Sequence, residues 1–387
     1  MSERWLEYRV VVTVGTGGVG KTTAAAAIAL EAAARGRRTL VLTIDPARRL
    51  ADALGLEELG QQPRRVPTDR LGGASSGELF AMMLDTQRTF DELVERFAPD
   101  QVTREKILAN PIYRSLTDAL AGTREYSAME KLHQVHESGE YDLIVLDTPP
   151  ASHALSFLDA PRRLTGFLDG SFLELLIRPA AAVGRTSFRL FRFGSEMALK
   201  TLQRVTGFSF LSNLSEFLLA FEGLLGGFRE RARRVGVLLR DSSCGFVLVA
   251  GPDPEQVRRT VVFWERLRSD RIHLAGLIVN RVQTWPGGAS PATSGAAQDA
   301  ARAWLERHFD ATTAERLVDA ASRHAALACR DAQMSEQLEK ALPLTASEMH
   351  RIPLLSEDIH TLEGLSRLRA HMFEEAKPHV VSSSSEA

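Results

Sequence analysis

Cysteine is scarce in this sequence, which has only Cys244 and Cys329 among 387 residues. So few thiols, placed so far apart, exclude a disulfide scaffold and favour a reducing compartment, so we expect a cytoplasmic location. No Cys-x-x-Cys pair or Cys/His cluster is present. A structural zinc site within one chain is therefore not expected.

An excess of charge of one sign and long apolar runs are also lacking. The 47 Lys and Arg residues nearly balance 49 Asp and Glu, so no global basic field attracts nucleic acid or an anionic membrane. No apolar run reaches the length of about 18 residues that a transmembrane segment needs. The charged start leads directly into an apolar strand, so we expect no signal peptide. The composition, 44% apolar and 25% charged, is typical of a soluble globular protein.

Apolar runs that alternate with helical stretches dominate the rest of the chain. Strands are predicted at residues 8–14, 38–44, 141–147, 245–250, 274–280 and 350–355. An Ala-rich helix is predicted at 22–35, a loop at 60–77 and mostly helix at 86–138. Continuous apolar strands separated by helices indicate an α/β fold with a mostly parallel sheet that is covered on both faces.

The segment GTGGVGKTT, at residues 15–23, contains the pattern G-x-x-x-x-G-K-[S/T] between an apolar strand and a helix. Its glycines allow backbone N–H groups to surround a phosphate chain, Lys21 reaches the β- and γ-phosphates, and Thr22 offers a hydroxyl to Mg²⁺. The start of the helix adds positive potential. The alternative is a glycine-rich turn that binds nothing. The predicted nucleotide-binding residues are Gly15, Thr16, Gly17, Gly18, Val19, Gly20, Lys21, Thr22 and Thr23.

Two aspartates end apolar strands. Asp147 stands where a carboxylate near Mg²⁺ belongs in such folds, although a strand-ending Asp is also a common turn former. Asp45 is placed to orient or activate the water that attacks the γ-phosphate. Its alternative role is a helix N-cap, with Pro46 at the first helical position. We therefore predict Lys21 and Asp45 as catalytic residues and Thr22, Asp45 and Asp147 as the magnesium site, partly through water.

These segments together resemble the ArsA/Get-type ATPases, which include arsenite-pump ATPases and ATPases that target tail-anchored membrane proteins. The resemblance extends to TIDPARRLADALG (43–55), LDTPPASHAL (146–155), LIVNRV (277–282) and IPLLSEDIHTLEGL (352–365). It implies a doubly wound sheet of the P-loop NTPase class with a deviant Walker A motif. It also implies ATP and Mg²⁺ as cofactors, a nucleotide-sandwich dimer, and opening and closing driven by ATP.

The same resemblance assigns roles by position. It makes Asp45 the hydrolytic carboxylate and Asp147 the switch residue near Mg²⁺. It places Asn280 on the adenine base, with Ile352, Pro353 and Leu354 beside it. These assignments follow from the motifs of the family and not from spacing alone.

The departures from the family pattern are informative. Thr16 stands where the family usually has a lysine that reaches the partner's phosphate site, and Ser152 replaces a flexible glycine of the second switch. The cysteines that bind arsenite, and the pair that clamps targeting dimers through zinc, have no counterpart. Arsenite is therefore not expected as a ligand. The chain is expected to form a homodimer, with Arg48 or Arg49 replacing the lysine, or a heterodimer with a lysine-bearing paralogue.

Residues 161–235 interrupt the alternation of strands and helices with a helical pattern rich in Phe and Leu. An apolar stripe recurs there at steps of three or four: Phe208, Leu211, Leu214, Phe217, Leu218, Phe221, Leu225 and Phe228. The stripe fits helices packed in a core, a groove for a hydrophobic helix or membrane-protein client, or a membrane-surface helix. Nearby, His133 and His136 are interpreted as surface residues and not as a metal site.

Together these features predict three parts of the chain. Residues 1–160 and 236–376 form the nucleotide-binding domain, 161–235 form a helical insertion near the helices of 86–138, and 377–387 form a disordered tail. The leading functional hypothesis is a Mg²⁺-dependent ATPase that cycles between open and closed dimers. Two alternatives remain open: a targeting factor whose ATP hydrolysis times the release of a hydrophobic helix, and a regulatory ATP-binding subunit with weak hydrolysis.

Overall fold

A computed structural model of the chain describes residues 4–45, 47–68, 77–114, 123–148, 159, 217, 220, 225–285 and 295–373. The strands of this part are β1 (Val10–Gly15), β2 (Arg38–Thr43), β3 (Arg64–Arg65), β4 (Glu78–Met83), β5 (Leu143–Asp147), β6 (Cys244–Ala250), β7 (Leu274–Val282) and β8 (Met349–Pro353). They form one eight-stranded sheet in the order β3-β4-β2-β5-β1-β6-β7-β8. Every neighbouring pair is parallel except β3 and β4.

Helices cover both faces of this sheet. They are α1 (Arg4–Glu7), α2 (Lys21–Ala34), α3 (Arg49–Ala53), α4 (Thr86–Phe97), α5 (Gln101–Ala109), α6 (Thr123–Ser138), α7 (Leu225–Leu238), α8 (Pro254–Ser269), α9 (Gly295–His308), α10 (Ala311–Ala341) and α11 (Leu362–Phe373). Core residues of α1, α2, α3 and α11 pack on one face, and those of α4 to α8 and α10 on the other. The predicted α/β fold with a doubly wound, mostly parallel sheet is confirmed.

The strands predicted from apolar runs are present as β1, β2, β5, β6, β7 and β8. Two strands were not predicted. β4 (ELFAMM) lay between the predicted loop and the predicted helical region, and β3 lies inside the predicted loop at 60–77. Leu, Met, Ala and Glu favour helices, so only pairing with β2 makes this segment a strand.

The central strands are apolar along their length, and polar residues follow at their carboxyl ends, which lie together on one side of the sheet, its carboxyl edge. β5 lies between β1 and β2, and its residue Asp147 is in register with Thr13 of β1 and Thr43 of β2. Because the strands are parallel, their carboxyl ends meet at this edge, where ligands bind in open α/β sheets. The loop from β1 to α2 lies at the same edge.

The predicted helical insertion at 161–235 and the tail at 377–387 lie largely or wholly outside the described residues. Phe217, Ala220 and the first part of α7 are exceptions. Phe217 is 5% exposed and belongs to the core cluster of the α4–α8 face, with its ring centroid 6.3 Å from that of Tyr113. For this one residue of the apolar stripe, the structure shows a core position. The division into domains stays a prediction.

Candidate functional site

The loop between β1 and α2 has a backbone that only glycine accommodates at two positions. A Cβ on Gly15 would lie 2.0 Å from the carbonyl oxygen of Val249 in β6, so a larger residue would force the two strands apart. Gly20 has φ 90° and ψ 29° immediately before α2, a left-handed conformation that costs other residues energy. The glycines thus allow the chain to turn sharply from the strand end into the start of α2.

Lys21, the first residue of α2, is buried with its ammonium group directed back into the loop. Its Nζ donates to the carbonyl oxygen of Thr16 at 2.9 Å. Burial lowers the pKa of Lys21, while the nearby carboxylates of Asp147 and Asp45 act in the opposite direction. A buried cation held by one carbonyl is available to a phosphate group that enters the loop.

Asp147 is fully buried at the end of β5 and accepts two hydroxyl hydrogen bonds on one oxygen. Thr22 Oγ1 donates to its Oδ2 at 2.8 Å, and Thr43 Oγ1 donates to the same atom at 2.9 Å. Its Oδ1 has no hydrogen-bond partner in the part of the chain that the structure describes. Burial raises the pKa of Asp147 to about 6, although the two threonine hydrogen bonds and Lys21 lower it. A buried carboxylate oxygen without a protein donor is suited to accept a cation or a water molecule.

Asp45 follows β2 by two residues and lines the same edge of the sheet. Its Oδ1 accepts from the backbone N–H of Ala47 at 3.0 Å, and its own N–H donates to Thr43 Oγ1 at 3.2 Å. Helix α3 begins only at Arg49 and has Arg48 as its N-cap. The alternative prediction that Asp45 is the N-cap is therefore wrong, because the carboxylate instead stabilises a turn two residues ahead of the cap.

The end of β7 contacts the phosphate loop from the other side. The amide Nδ2 of Asn280 donates to the carbonyl oxygen of Val19 at 2.8 Å, and its Oδ1 accepts from the N–H of Arg281 at 2.9 Å. A Cβ on Gly20 would lie 2.4 Å from this Nδ2. Arg281 Nη1 lies 3.2 Å from the carbonyl oxygen of Gly18 and donates to it. In the structure, Asn280 therefore holds the loop through its Nδ2, while its Oδ1 bonds within β7.

A cleft with a volume of about 380 Å³ opens beside these groups. Its lining includes the predicted residues Gly18, Gly20, Lys21, Thr22, Thr23 and Asp45. Arg49, suggested as a substitute for the family's lysine, also lines it. Sequence reasoning missed the rest of the lining, which is Asp52, Thr148, Arg281, Asp358, Ile359 and His360. Asp52, Arg281 and Asp358 carry charge, but none of the missed residues belongs to a phosphate-binding pattern. They come from four segments that the fold brings together: α3, the end of β5, β7 and the chain after β8.

The segment predicted beside the base divides between core and surface. Ile352 is 1% exposed and packs in the core of the α2 face, so its side chain faces the interior. Leu354 is 49% exposed, and its N–H donates to the carbonyl oxygen of Val282 at 2.9 Å. Pro353 lies between them at the end of β8 and is half-buried. The residues that line the cleft are Asp358 to His360, a few positions farther along the chain.

Arg48 and Arg49, suggested as substitutes for the lysine that the family has where this chain has Thr16, lie in different places. Arg48 donates to the carbonyl oxygen of Glu57 and lines a separate cavity of about 400 Å³. Arg49 lines the cleft that contains Lys21 and Asp45. Thr16 itself is 6% exposed, and its hydroxyl has no hydrogen-bond partner among the described residues.

The interpretation of His133 as a surface residue is wrong. His133 is 6% exposed on α6, because this face of α6 packs against α7, where Arg231 forms a buried ion pair with Glu130. Burial lowers the pKa of His133. His136 is half-buried, and burial lowers its pKa as well. Helical spacing alone does not reveal which face of α6 meets a second helix.

The cleft fits a magnesium–nucleotide complex by the chemistry of its donors. Mg²⁺ prefers hard oxygen ligands and is commonly held by one or two carboxylates together with substrate phosphates and water. The Thr22 hydroxyl in the lining of the cleft is one such oxygen. The buried Asp147 to which it donates is not itself in the lining, and its Oδ1 has no hydrogen-bond partner among the described residues. The glycine loop and Lys21 supply N–H groups and positive charge for phosphates. Within the described residues, no three His, Cys, Asp or Glu side chains cluster as a metal site.

Comparison with known proteins matches this chain to a family model and to several relatives. The family model described as anion-transporting ATPase matches residues 8–286. A candidate arsenical pump-driving ATPase 2 from Aquifex aeolicus is 26% identical over 280 residues, which cover 71% of this chain and 80% of that protein. ATPase GET3 from Malassezia globosa is 33% identical over 147 residues, 38% of this chain and 40% of that protein.

Other relatives also match over part of their length. ATPase GET3 from Kluyveromyces lactis is 30% identical over 183 residues, 44% of this chain and 50% of that protein. The matched segments span 27% and 42% of two further relatives, and 40% of the Malassezia globosa ATPase, so the chain spans well under two thirds of their length. None of the helices in the described part of the chain combines the length and apolar character that crossing a bilayer requires.

The family model covers most of the chain and includes the phosphate loop, both strand-ending aspartates and the end of β7. The chain belongs to the anion-transporting ATPase family, that of the ArsA and GET3 ATPases.

Proposed function

We propose that this protein binds ATP with Mg²⁺ in the cleft at the carboxyl edge of its sheet and hydrolyses it. The observation that carries the proposal is the fully buried carboxylate of Asp147, whose Oδ2 is bound by Thr22 and Thr43 while its Oδ1 has no partner among the described residues. A buried carboxylate in this state favours a cation beside it, directly or through water.

The proposal gives roles to the phosphate loop and to the polar residues around it. The loop N–H groups and Lys21 bind the phosphates, and Lys21 exchanges its hydrogen bond to Thr16 for a phosphate oxygen. Thr22 and Asp147 hold Mg²⁺, which neutralises charge that develops on the transferred phosphoryl group. Asp45 orients the attacking water and accepts its proton. Asn280 keeps the loop in place and bounds the region of the base.

The cofactor positions proposed for the base rest on this arrangement and on the family resemblance. Asn280 lies near the end of β7 beside the loop. Ile352 and Pro353 end β8, and Leu354 follows it. Because Ile352 is buried, its contribution to the nucleotide is through the backbone, whereas the exposed Leu354 offers its side chain.

We further propose that the nucleotide closes a dimer, as the resemblance to ArsA and GET3 ATPases implies. Arg49 lines the nucleotide cleft, so a homodimer has a cation in place of the missing lysine, and this arrangement is favoured over an unequal pair because homodimers are the commoner assembly. Binding of a hydrophobic client by residues 161–235 stays a proposal. The buried position of Phe217 supports a packing role for that residue instead.

Nucleotide titration of Lys21→Ala tests the proposal. Isothermal titration calorimetry with Mg·ATP is expected to show affinity weakened by roughly a hundredfold, the upper end of the scale for a hydrogen bond to a charged group, because here both partners are charged and Lys21 is buried. Lys340→Ala is the matched control, because Lys340 is exposed on α10, pairs with Glu336 and lies outside the lining of the cleft. Unchanged affinity in Lys21→Ala, or equal loss in both variants, would contradict ATP binding at this loop.

A further inference from the structure

Two arginines of the described chain have a left-handed backbone, and only one of them has an ordinary reason for it. Arg271 has φ 56° and follows α8, where the N–H of Ile272 bonds back to the carbonyl oxygen of Leu267. A left-handed residue at such a helix end is common. Arg281 has φ 62° within β7, where an extended backbone is the norm.

The conformation of Arg281 comes from a bulge at the end of β7. Val279 is in register with Arg351 and Val282 with Pro353. Three steps along β7 therefore match two steps along β8, so β7 carries one extra residue between these pairs. Bulges of this kind redirect a side chain and are frequent next to active sites. The extra residue falls at Asn280–Arg281, directly beside the phosphate loop.

The redirected guanidinium lies at the nucleotide cleft. Arg281 Nη1 donates to the carbonyl oxygen of Gly18 at 3.2 Å, and the residue lines the cleft together with Lys21 and Thr22. Among the described residues, no carboxylate forms an ion pair with Arg281. A long, weak bond to a carbonyl leaves most of its donors free. A planar guanidinium is well suited to two hydrogen bonds with a phosphate.

We propose that Arg281 is a nucleotide-binding residue that contacts the phosphate chain of the bound nucleotide, and that the β7 bulge exists to deliver it. This proposal rests on the proposed ATP binding and adds to it. The loop supplies a single lysine, because position 16 is threonine, and Asp45, Asp52 and Asp358 add negative charge to the cleft. Arg49 and Arg281 also line the cleft, and the guanidinium of Arg281 donates to the phosphate loop itself.

The test compares adenosine, AMP, ADP and Mg·ATP as ligands by calorimetry. Arg281→Gly keeps the left-handed backbone without strain, so the variant is expected to fold at least as well as the wild type. Its affinity for ADP and ATP is expected to fall about tenfold, the scale for one hydrogen bond to a charged group, while adenosine affinity stays unchanged. Arg281→Lys is expected to recover part of the loss, since a lysine keeps the charge but lacks the paired N–H donors of a planar guanidinium.

Arg271→Gly is the matched control, because it also removes an arginine at a left-handed position but lies at the end of α8, outside the lining of the cleft. Equal losses for adenosine and ATP in Arg281→Gly would overturn the proposal and place the contact on the base or ribose. Unchanged ATP affinity would also overturn it. If Lys21→Ala loses ATP while Arg281→Gly does not, only this inference fails. If the wild type binds no nucleotide, the proposed function fails with it.

Discussion

At the scale of single residues, the site is defined by buried charged groups whose hydrogen-bond partners are neutral. Asp147 and Lys21 lie near one another, yet the hydrogen bonds that each makes come from neutral groups, the hydroxyls of Thr22 and Thr43 and the carbonyl of Thr16. Burial lowers the pKa of Lys21 and raises that of Asp147, and both shifts favour the neutral form of the side chain. A nucleotide with its cation would supply the charges that these groups lack.

The pKa of Asp147 makes stability depend on pH. Burial raises this pKa from 3.8 to about 6, so the folded protein keeps a proton that the unfolded chain has released. The stability that the group contributes is fully present below about pH 4 and is lost as the pH rises through about 6. The amide in Asp147→Asn does not titrate, so this variant lacks that contribution to the pH dependence.

The unfolding free energy of the wild type, relative to Asp147→Asn, is therefore expected to fall by about 2–3 kcal/mol between pH 4 and pH 7. Urea unfolding of both proteins, free of nucleotide and metal, at intervals of one pH unit measures this difference. A difference that does not change with pH would show that Asp147 titrates normally in the folded protein.

Asp45 is expected to act on the chemical step and not on binding. Asp45→Asn keeps a side-chain oxygen for the N–H of Ala47, so the turn before α3 is preserved. Loss of a general base slows turnover by about a hundredfold or more, whereas Mg·ATP affinity should change little. Steady-state phosphate release and calorimetry separate the two effects.

Asp52→Asn provides the comparison for Asp45, because Asp52 lines the same cleft from α3. Losing its charge should leave turnover near that of the wild type. Wild-type turnover in Asp45→Asn would reduce Asp45 to a residue that forms a turn.

At the scale of elements, the sequence predicts those parts whose pattern is local. β1, β2 and β5 are continuous apolar runs, and the glycine loop has its own motif, so each was predicted before any tertiary contact was known. β4 consists largely of helix-forming residues and is a strand only through its partner β2. The β7 bulge depends on the register with β8, which no single strand encodes.

The same distinction applies to the site. Sequence motifs identify four residues of the site, although their roles stay predictions: Lys21, Thr22, Asp45 and Asp147. Asp358, Ile359 and His360 reach the cleft because β8 lies beside β7 and the chain after it turns back over the edge of the sheet. Sequence distance from the loop hides such residues until the order of the strands is known.

The apolar stripe can be tested at the one member whose burial is described. Phe217→Ser should lower the free energy of unfolding by about 4 kcal/mol, because it removes a buried ring and introduces a hydroxyl into an apolar environment. Thermal and urea unfolding measure the loss. Val262→Ser, at a position on α8 that is 54% exposed, should cost less than about 1 kcal/mol.

A groove for a hydrophobic client makes the opposite prediction for Phe217→Ser. The variant would then keep the stability of the wild type and lose binding of an apolar peptide. That result would contradict the core position of Phe217.

At the scale of the whole molecule, Thr16 raises the question of assembly. Its side chain is 6% exposed, and the resemblance to the ArsA/Get-type ATPases implies a lysine at this position that reaches a partner's nucleotide. If two copies of this chain close around ATP, Thr16→Lys adds a cation to each site, where it stabilises the charge of the transition state.

We therefore expect Thr16→Lys to raise ATP turnover severalfold or more in a protein that dimerises with Mg·ATP. Light scattering reports the mass, and phosphate release reports the rate. Thr16→Met matches the length of the new side chain without its charge and should give no gain. If Thr16→Lys dimerises but gains no activity, the lysine is not what limits this chain.

The placement of the cleft residues along the chain has a consequence for kinetics. The loop at residues 15–23 meets Asp147 of β5, Asn280 of β7 and His360 beyond β8 only after the strands are aligned. Contacts between residues so distant in sequence form late in folding, since each requires a large loop to close. A nucleotide can therefore bind only to a nearly native chain, and its stabilisation should appear as slower unfolding, with the rate of folding left almost unchanged.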